Sequence, residues 1–416
     1  MTTASGFRFK AVMAVTFFIM FGYGMIVPTL PLFASTLGVA ETGIGIVFTA
    51  FAGARLAASI FAGSAIGKLG ERRMAAMGAF IVGVSSAAAG FSPNFPSLVI
   101  LRGLGGIGSA FFLAALMTSL LGAVKPEERS RAMAMFWAVV GVGFIVGPVF
   151  GGLAAIISLR APLFFYGGIC MAAAPLCYMV LGPGPRDATA EGGPSPVAEE
   201  VAPIPAVPAW QMLKPLLRDP AYRAALAVGA ASFFVMGGVD PLVSKTWTDG
   251  FGLSESSVGI PFMLAGLATL GPAWHAGKLG DLKGRKYATV PALALSAVAL
   301  AMLGLFHSPV AFVIMFTVVG LSWGYQRSGP SAIVGDVSTD SDRAMAVGGF
   351  RIATDVGAFL GPTILGAIGE HQSHAAAFMA AGGVVLLAFF AMLPVRETAP
   401  AVVAAAARSP HPAESS

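Results

Sequence analysis

The chain has 416 residues, 56% of them hydrophobic and 11% charged, with a formal net charge of +5 and a mean hydropathy of +0.81. Soluble domains carry about 25% charged residues, so this chain cannot cover a water-facing surface and a soluble fold is excluded. The positive balance sits in short stretches between apolar runs, which is a topology signal and not a nucleic-acid surface.

Apolar runs of about 20 residues, the length that crosses roughly 30 Å of hydrocarbon, recur along the whole chain. They predict twelve spans at 11–34, 43–63, 74–91, 96–121, 131–157, 162–182, 222–247, 257–279, 287–306, 309–334, 343–369 and 374–395. The runs are uniformly apolar, so the spanning form is the α-helix, which bonds every backbone group internally. The fold class is therefore an all-α membrane protein. The N-terminus is short and basic, Pro28 and Pro31 interrupt the first span, and no small-residue cleavage site stands out. It reads as a span and not as a cleavable leader. Cys170 and Cys177 lie seven apart on one apolar run; they read as packed thiols, without metal-ligand spacing.

Residues 183–221 break the apolar pattern with Pro, Gly, Ala and Glu and read as a flexible linker. Trp210 to Arg223 is expected to be a short surface helix entering span seven. The linker separates an N-terminal six-helix bundle, 1–182, from a C-terminal one, 222–397, and 398–416 is expected to be a disordered tail. Twelve spans put both termini on one side. Loops on that side hold Arg8, Lys10, Lys68, Arg72, Arg73, Lys125, Arg129, Lys283, Arg285, Lys286, Arg343 and Arg396, against Arg160 and Lys245 opposite. Both termini are therefore expected in the cytoplasm, with the chain in the cytoplasmic (inner) membrane.

The two halves repeat. Gly63 to Arg73 (GSAIGKLGERR) and Gly277 to Lys286 (GKLGDLKGRK) share a skeleton 214 positions apart, with Gly70 answering Gly284 and basic residues closing both. Gly143, Gly147 and Pro148 in span five answer Gly357, Gly361 and Pro362 in span eleven at the same offset. Two six-span repeats joined by a linker suggest alternating access around a midplane site. Glycine faces allow close helix packing and proline bends a helix, so these motifs are expected to form a tight seam between the halves, plain packing of neighbouring helices, or both.

These residues resemble the major facilitator superfamily over roughly 8 to 397. Gly277, Leu279, Asp281, Gly284, Arg285 and Lys286 match its loop signature; Arg102, Gly106 and Gly108 look like its fourth-helix motif. Gly143, Gly147, Pro148, Gly151 and Gly152 look like the motif of its drug/proton antiporters, and Pro28 with Pro31 is similar to twelve-span exporters. The resemblance implies a fold of two pseudo-symmetric six-helix bundles. It also implies gating at Gly63, Gly70, Arg72, Arg73, Gly277, Asp281, Gly284, Arg285 and Lys286, with Asp281 facing the start of span five. The first copy departs from the signature, with Gly67 in place of the acid and Glu71 in place of a base. The acid that the signature places near the start of span eleven is then missing, and Asp340 or Asp342 are the local candidates.

Ionisable groups inside spans mark function more often than packing. They fall at Arg55, Arg102, Asp240, His275, Arg327, Arg351 and Asp355, while spans three, six, nine and twelve have uncharged interiors, as suits lipid exposure. Arg351 and Asp355 lie one helical turn apart. They read either as a structural ion pair or as a proton-coupled carboxylate tuned by its neighbour. Asp240 precedes Pro241 and reads as a cavity proton or cation site or as a hydrogen-bonded structural acid. Arg102 is expected to act in proton handling, as the resemblance implies, and Arg55 with Arg327 either pair structurally or bind an anion. Phe18, Phe21, Tyr23, Met25, Phe234, Met236, Trp323 and Tyr325 either pack or line a pocket.

The lead expectation is a proton-coupled exporter of a small amphipathic compound, a multidrug-type antiporter acting as a monomer in the lipid bilayer. The proton gradient serves as its energy source, with no cofactor and no metal. The alternative with the same fold is uptake or exchange of an anionic metabolite. No nucleophile elbow or metal triad supports an enzyme, and the duplicated motifs favour a carrier over a channel.

Overall fold

A computed structural model describes residues 3–124, 128–181, 214–326, 328–339, 342–399 and 402. Its main elements are α1 (Thr3–Ser35), α2 (Glu41–Leu69), α3 (Glu71–Gly90), α4 (Phe95–Gly122), α5 (Arg129–Ala155), α6 (Ala161–Val180), α7 (Pro220–Lys245), α8 (Gly259–Lys283) and α9 (Arg285–Leu303). Then come α10, described in the stretches Pro309–Gln326 and Ser328–Val337, α11 (Arg343–His371) and α12 (His374–Met392). Twelve helical stretches among the described residues are long and apolar enough to cross a membrane, in the order that the apolar runs predict. The expected linker lies largely outside the described residues, which begin again with a helical turn at Lys214; nearly all of the expected tail lies outside them too.

Where helices end follows local chemistry. Asn94 accepts from the Ser97 N–H at 3.1 Å and Ser373 from the Ala376 N–H at 3.0 Å, so a side chain satisfies an amide that the first turn leaves unpaired. The stretches at 63–73 and 277–286, expected as loops, are mostly helix: α2 runs on to Leu69 and α8 to Lys283. The breaks are confined to Gly70 and Gly284, at φ +80° and +115°, a region in which a side chain is strained and glycine is not.

The chain clusters into two compact units. Unit 1 comprises Met1–Ile204, Asp240–Met263 and Pro362–Glu370; unit 2 comprises Pro205–Val239, Leu264–Gly361 and His371–Ser416. In unit 1, α1 packs on α5 and α6, α3 on α4 and α6, and α2 on α4. They enclose a core that includes Phe33, Ile44, Leu98, Phe112, Phe136 and Tyr166. In unit 2, α9 packs on α10 and α12, and the Tyr222 hydroxyl of α7 donates to the Ala346 carbonyl of α11 at 2.9 Å.

Backbone-to-backbone crossings carry much of this packing. Cβ atoms added at Gly143, Gly147 and Gly151 of α5 would run into α1, at the carbonyls of Phe17, Phe21 and Met25. Cβ atoms at Gly357 and Gly361 of α11 would run into α7, at the carbonyls of Ala230 and Phe234. The same crossing is thus built twice. Both expected roles are seen: these glycines pack helices within one unit, and the end of each motif reaches the other six-span stretch of the chain. There, within unit 1, Gly45 meets the Pro362 carbonyl and Gly259 meets the Pro148 carbonyl. The two pinches correspond at the repeat offset, since 45 answers 259 and 148 answers 362. Gly152 meets Ser256 beside the second pinch, and Thr49 and Thr363 share a hydrogen bond of 2.8 Å beside the first.

A side chain at either pinch would force two backbones apart, and overpacking of this kind costs about 1–3 kcal/mol. Gly45→Val and Gly259→Val should each lower the thermal unfolding temperature of the purified protein by several degrees. Gly63→Ala and Gly67→Ala, where an added Cβ has open space among the described residues, should leave it unchanged. Equal behaviour of the two pairs in a melting assay would refute the pinch.

Candidate functional site

Among the described residues, the interior of unit 1 holds one buried cation, Arg102. On α4, a Cβ at Gly106 would strike the Phe51 carbonyl of α2, so the two backbones touch. One turn earlier Arg102 lies with its guanidinium 4.5 Å from the centre of the Phe51 ring. Tyr23 of α1 extends the aromatic wall, its ring 5.7 Å from Phe51, 6.0 Å from Phe144 and 6.1 Å from Tyr166. Arg102 is 1% exposed, and its Nε and Nη1 have no hydrogen-bond partner among the described residues. Ring faces offset part of the cost of burying this charge, but a desolvated guanidinium still favours a nearby anion. The site is therefore suited to holding a negative group, or to opposing a positive charge that enters the same bundle. Arg55 lies partly buried on α2, its backbone near Gly106.

Asp240 of α7 is 7% exposed. Its backbone carbonyl accepts from Ser244 Oγ at 3.2 Å, whereas its carboxylate has no hydrogen-bond partner among the described residues and stands as a buried acid. A carboxylate in an apolar span is costly unless it holds a proton or meets a cation. In unit 2, Asp355 is buried on α11 with Arg351 exposed one turn before it, and Thr354 Oγ1 donates to the Arg351 carbonyl at 2.7 Å. Arg327 lies outside the described residues. His275 is exposed on α8, its ring 6.1 Å from that of Tyr325. Of the expected pocket aromatics, Tyr23 joins the wall around Arg102, Phe21 packs edge-on to Phe150, and Phe18 is exposed. Phe51, Phe144 and Tyr166 were not anticipated; they come from three other helices and only the fold gathers them.

The duplicated helix junctions differ in chemistry. At the second, Arg285 Nε donates to Asp336 Oδ2 at 3.0 Å, and Lys286 Nζ donates to the Leu393 carbonyl just past α12 at 2.6 Å. Glu397 Oε1 accepts from the backbone N–H groups of Arg285 at 2.7 Å, Thr398 at 2.9 Å and Ala399 at 3.0 Å; Oε2 accepts from that of Lys286 at 3.3 Å. Thr398 Oγ1 joins Asp336 at 3.1 Å. The segment after α12 therefore closes over the start of α9, with an anion where the helix dipole favours one. Neither Asp336 nor Glu397 was anticipated: Asp336 answers Gly122 in the first repeat, so no twin marked it. At the first junction Arg72, answering Lys286, stacks 3.9 Å from the Tyr178 ring centre near the end of α6. Glu71 is buried in the first turn of α3, where a negative charge is favoured, and Arg73 is exposed. Gly63 and Gly277 face open space among the described residues, and the side chain of Asp281 lies outside those residues. Asp342 stands at the start of α11, its Oδ1 accepting the Thr339 N–H at 2.7 Å.

Comparison with known proteins places this arrangement. The model of the Major Facilitator Superfamily matches residues 12–329 and 276–415. The chain is 31% identical over 160 residues to multidrug resistance protein 2 of Bacillus subtilis, covering 38% of this chain and 40% of that protein. It is 29% identical over 177 residues to the quinolone resistance protein NorA of Staphylococcus aureus, covering 42% and 45%. The matched stretches thus span less than half the length of these curated relatives. Among solved structures, a bacterial homologue of the human lysosomal transporter Spinster aligns with a TM-score of 0.75 at 14% identity, covering 94% of this chain and 98% of that one. The human organic anion transporter MFSD10 aligns at 0.66 and 19%, covering 93% and 99%.

Glu397 supplies a pH test outside the spans. Burial pushes its carboxyl up, but the backbone N–H groups of Ala399, Arg285, Lys286 and Thr398 outweigh burial and hold it below its ordinary value. Its stabilising effect is thus complete above the unfolded value of about 4.3 and is lost as pH falls through the lower folded value. The difference in melting temperature between wild type and Glu397→Gln should be constant above about pH 5 and shrink on acidification towards pH 3. A difference independent of pH would remove the charge from this account.

Proposed function

The chain belongs to the Major Facilitator Superfamily, and from that premise we propose that it is a proton-coupled secondary transporter that exports a small amphipathic organic compound by alternating access. The proposal places it in the cytoplasmic membrane with both termini in the cytoplasm, working as two six-helix halves, 1–182 and 222–397, within a single protomer. The proton gradient is its energy source. The reading rests on Asp240, a buried acid in an otherwise apolar span whose carboxylate has no partner among the described residues. Such a group changes its charge when it changes its surroundings, because water stabilises the ionised form and burial the protonated one. A carrier that exposes Asp240 to the two faces in turn would release a proton on one side and collect it on the other. Asp355, buried on α11, is the second candidate. The names of the two bacterial relatives, a multidrug and a quinolone resistance protein, support export and an amphipathic cargo.

Arg102 favours a second reading. Its unpartnered nitrogens inside an aromatic wall suit an anionic cargo, moved by the same fold in either direction. The likeness to MFSD10 supports the fold alone. The two readings differ in the sign of charge that Arg102 tolerates: Arg102→Gln should abolish movement of an anion and leave a cationic dye transported.

Reconstituted vesicles with an imposed pH gradient test the coupling. Asp240→Asn fixes a neutral side chain at that position, and should reduce gradient-driven efflux of a fluorescent amphipathic cation at least tenfold while counterflow exchange persists. Asp355→Asn should act in the same direction. Wild-type uphill rates in both single variants and in the double variant would end the proton-coupling reading.

A further inference from the structure

A cavity of about 350 Å³ opens where α8 gives way to α9 beside the end of α12, lined by Lys283, Lys286, Tyr287, Val290, Pro291, Leu393 and Glu397. We propose that it binds the headgroup of an anionic phospholipid, through Lys283 and Lys286. Two cations converge on it. The Lys283 ammonium stands 5.0 Å from the centre of the Tyr287 ring. Lys286 Nζ gives one N–H to the Leu393 carbonyl, and an ammonium has three to give. The lining also contains an acid, but the Glu397 carboxylate is taken up by four backbone N–H groups. A phosphate therefore meets two ammonium groups and a carboxylate whose negative charge is partly screened by amide dipoles.

Position selects a lipid as the source of that phosphate. The cavity lies at the ends of three predicted spans, where headgroups lie. Leu282 and Tyr287 beside it are 67% and 54% exposed, an aliphatic and an aromatic anchor of the kind enriched at the membrane–water interface. Val290 and Pro291 form an apolar floor continuing along α9, a path for the first carbons of an acyl chain. Basic pockets between spans bind anionic headgroups, each cation contributing about 1 kcal/mol near a charged surface. In the first repeat Leu69 stands where the second has Lys283, and Arg72 is stacked on Tyr178. This pair of lysines is therefore particular to the second half, and the site stands whatever the cargo is.

Native mass spectrometry of the full-length protein in detergent, titrated with phosphatidylglycerol, phosphatidylcholine or sodium phosphate, tests the assignment. Wild type should retain one phosphatidylglycerol in preference to phosphatidylcholine. Lys283→Gln, at an exposed position, should weaken that binding about fivefold to tenfold, a loss of roughly 1 kcal/mol. Lys283→Arg should keep it, as should Lys214→Gln, a neutralised exposed lysine elsewhere. Equal retention of the two lipids, unchanged binding in Lys283→Gln, or displacement by millimolar phosphate would each overturn the proposal, the last by assigning the cavity to the free ion.

Discussion

The structure depends on how closely two helix backbones approach in the absence of a hydrophobic drive between them. Lipid tails are as apolar as leucine, so burying an aliphatic side chain against another helix gains little in a bilayer. Association rests instead on van der Waals contact and on short Cα–H to carbonyl approaches at small residues. That is why Gly147 meets the Phe21 carbonyl and Gly361 the Phe234 carbonyl, and why Gly45 and Gly259 meet the carbonyls of Pro362 and Pro148. Proline adds to the last two contacts. It removes a backbone donor and so frees a carbonyl one turn earlier, loosening the helix where a partner glycine seats. Because each contact has a twin at the repeat offset, a pair of pinches serves two crossings with one piece of sequence logic.

Charge obeys the complementary rule. A group buried in the spans is held by packing: Arg102 by the aromatic wall that the α2–α4 crossing creates, Asp240 by an apolar stretch of α7. Each is left with unmet electrostatic demand, and a carrier uses such demand because a proton or cargo meets it only in some states. Four side chains at the second helix junction are saturated instead. Arg285, Asp336, Thr398 and Glu397 bond one another and the exposed amides of α9, so their demand is met locally. The contrast separates residues that are positioned to change partners from residues that hold the helices in register.

Much of the fold was legible in the chain because its strongest signals are long. Twelve apolar runs, a polar break and an offset repeated in two motif pairs need no tertiary information, and single motif glycines revealed which helix faces would be smooth. Their partners were not legible. The seam glycines fitted a boundary between halves or plain packing, and Gly143 and Gly357 pack inside their own units; a glycine stripe states that something comes close without stating what. The junctions looked like loops because charge and glycine usually mean loop; the helices instead run on past the apolar zone and break at one positive-φ glycine each. The surroundings of Arg102 were invisible for a third reason, since Tyr23, Phe51, Phe144 and Tyr166 are far apart in sequence and ordinary as single aromatics.

The unequal junctions carry the last consequence. A duplicated element begins with two equivalent contacts, and each copy is then free to drift as long as its helix ends are held. In the second copy, Arg285 acquired an acid partner at Asp336, and Glu397 spans the amides of α9. In the first, the position of Asp336 is Gly122 and that of Arg285 is Glu71, so charge of the opposite sign sits at the start of α3, where the helix dipole favours it. The same tie to the end of the bundle's last helix is made in both, through the Lys286 ammonium to a carbonyl in one and through the Arg72 guanidinium to a ring in the other. An ammonium bound to one carbonyl keeps two donors in hand, whereas a guanidinium laid flat on a ring keeps only the donors at its edge. At the second junction Lys286, with Lys283 beside it, retains cationic capacity that can be lent to something outside the chain.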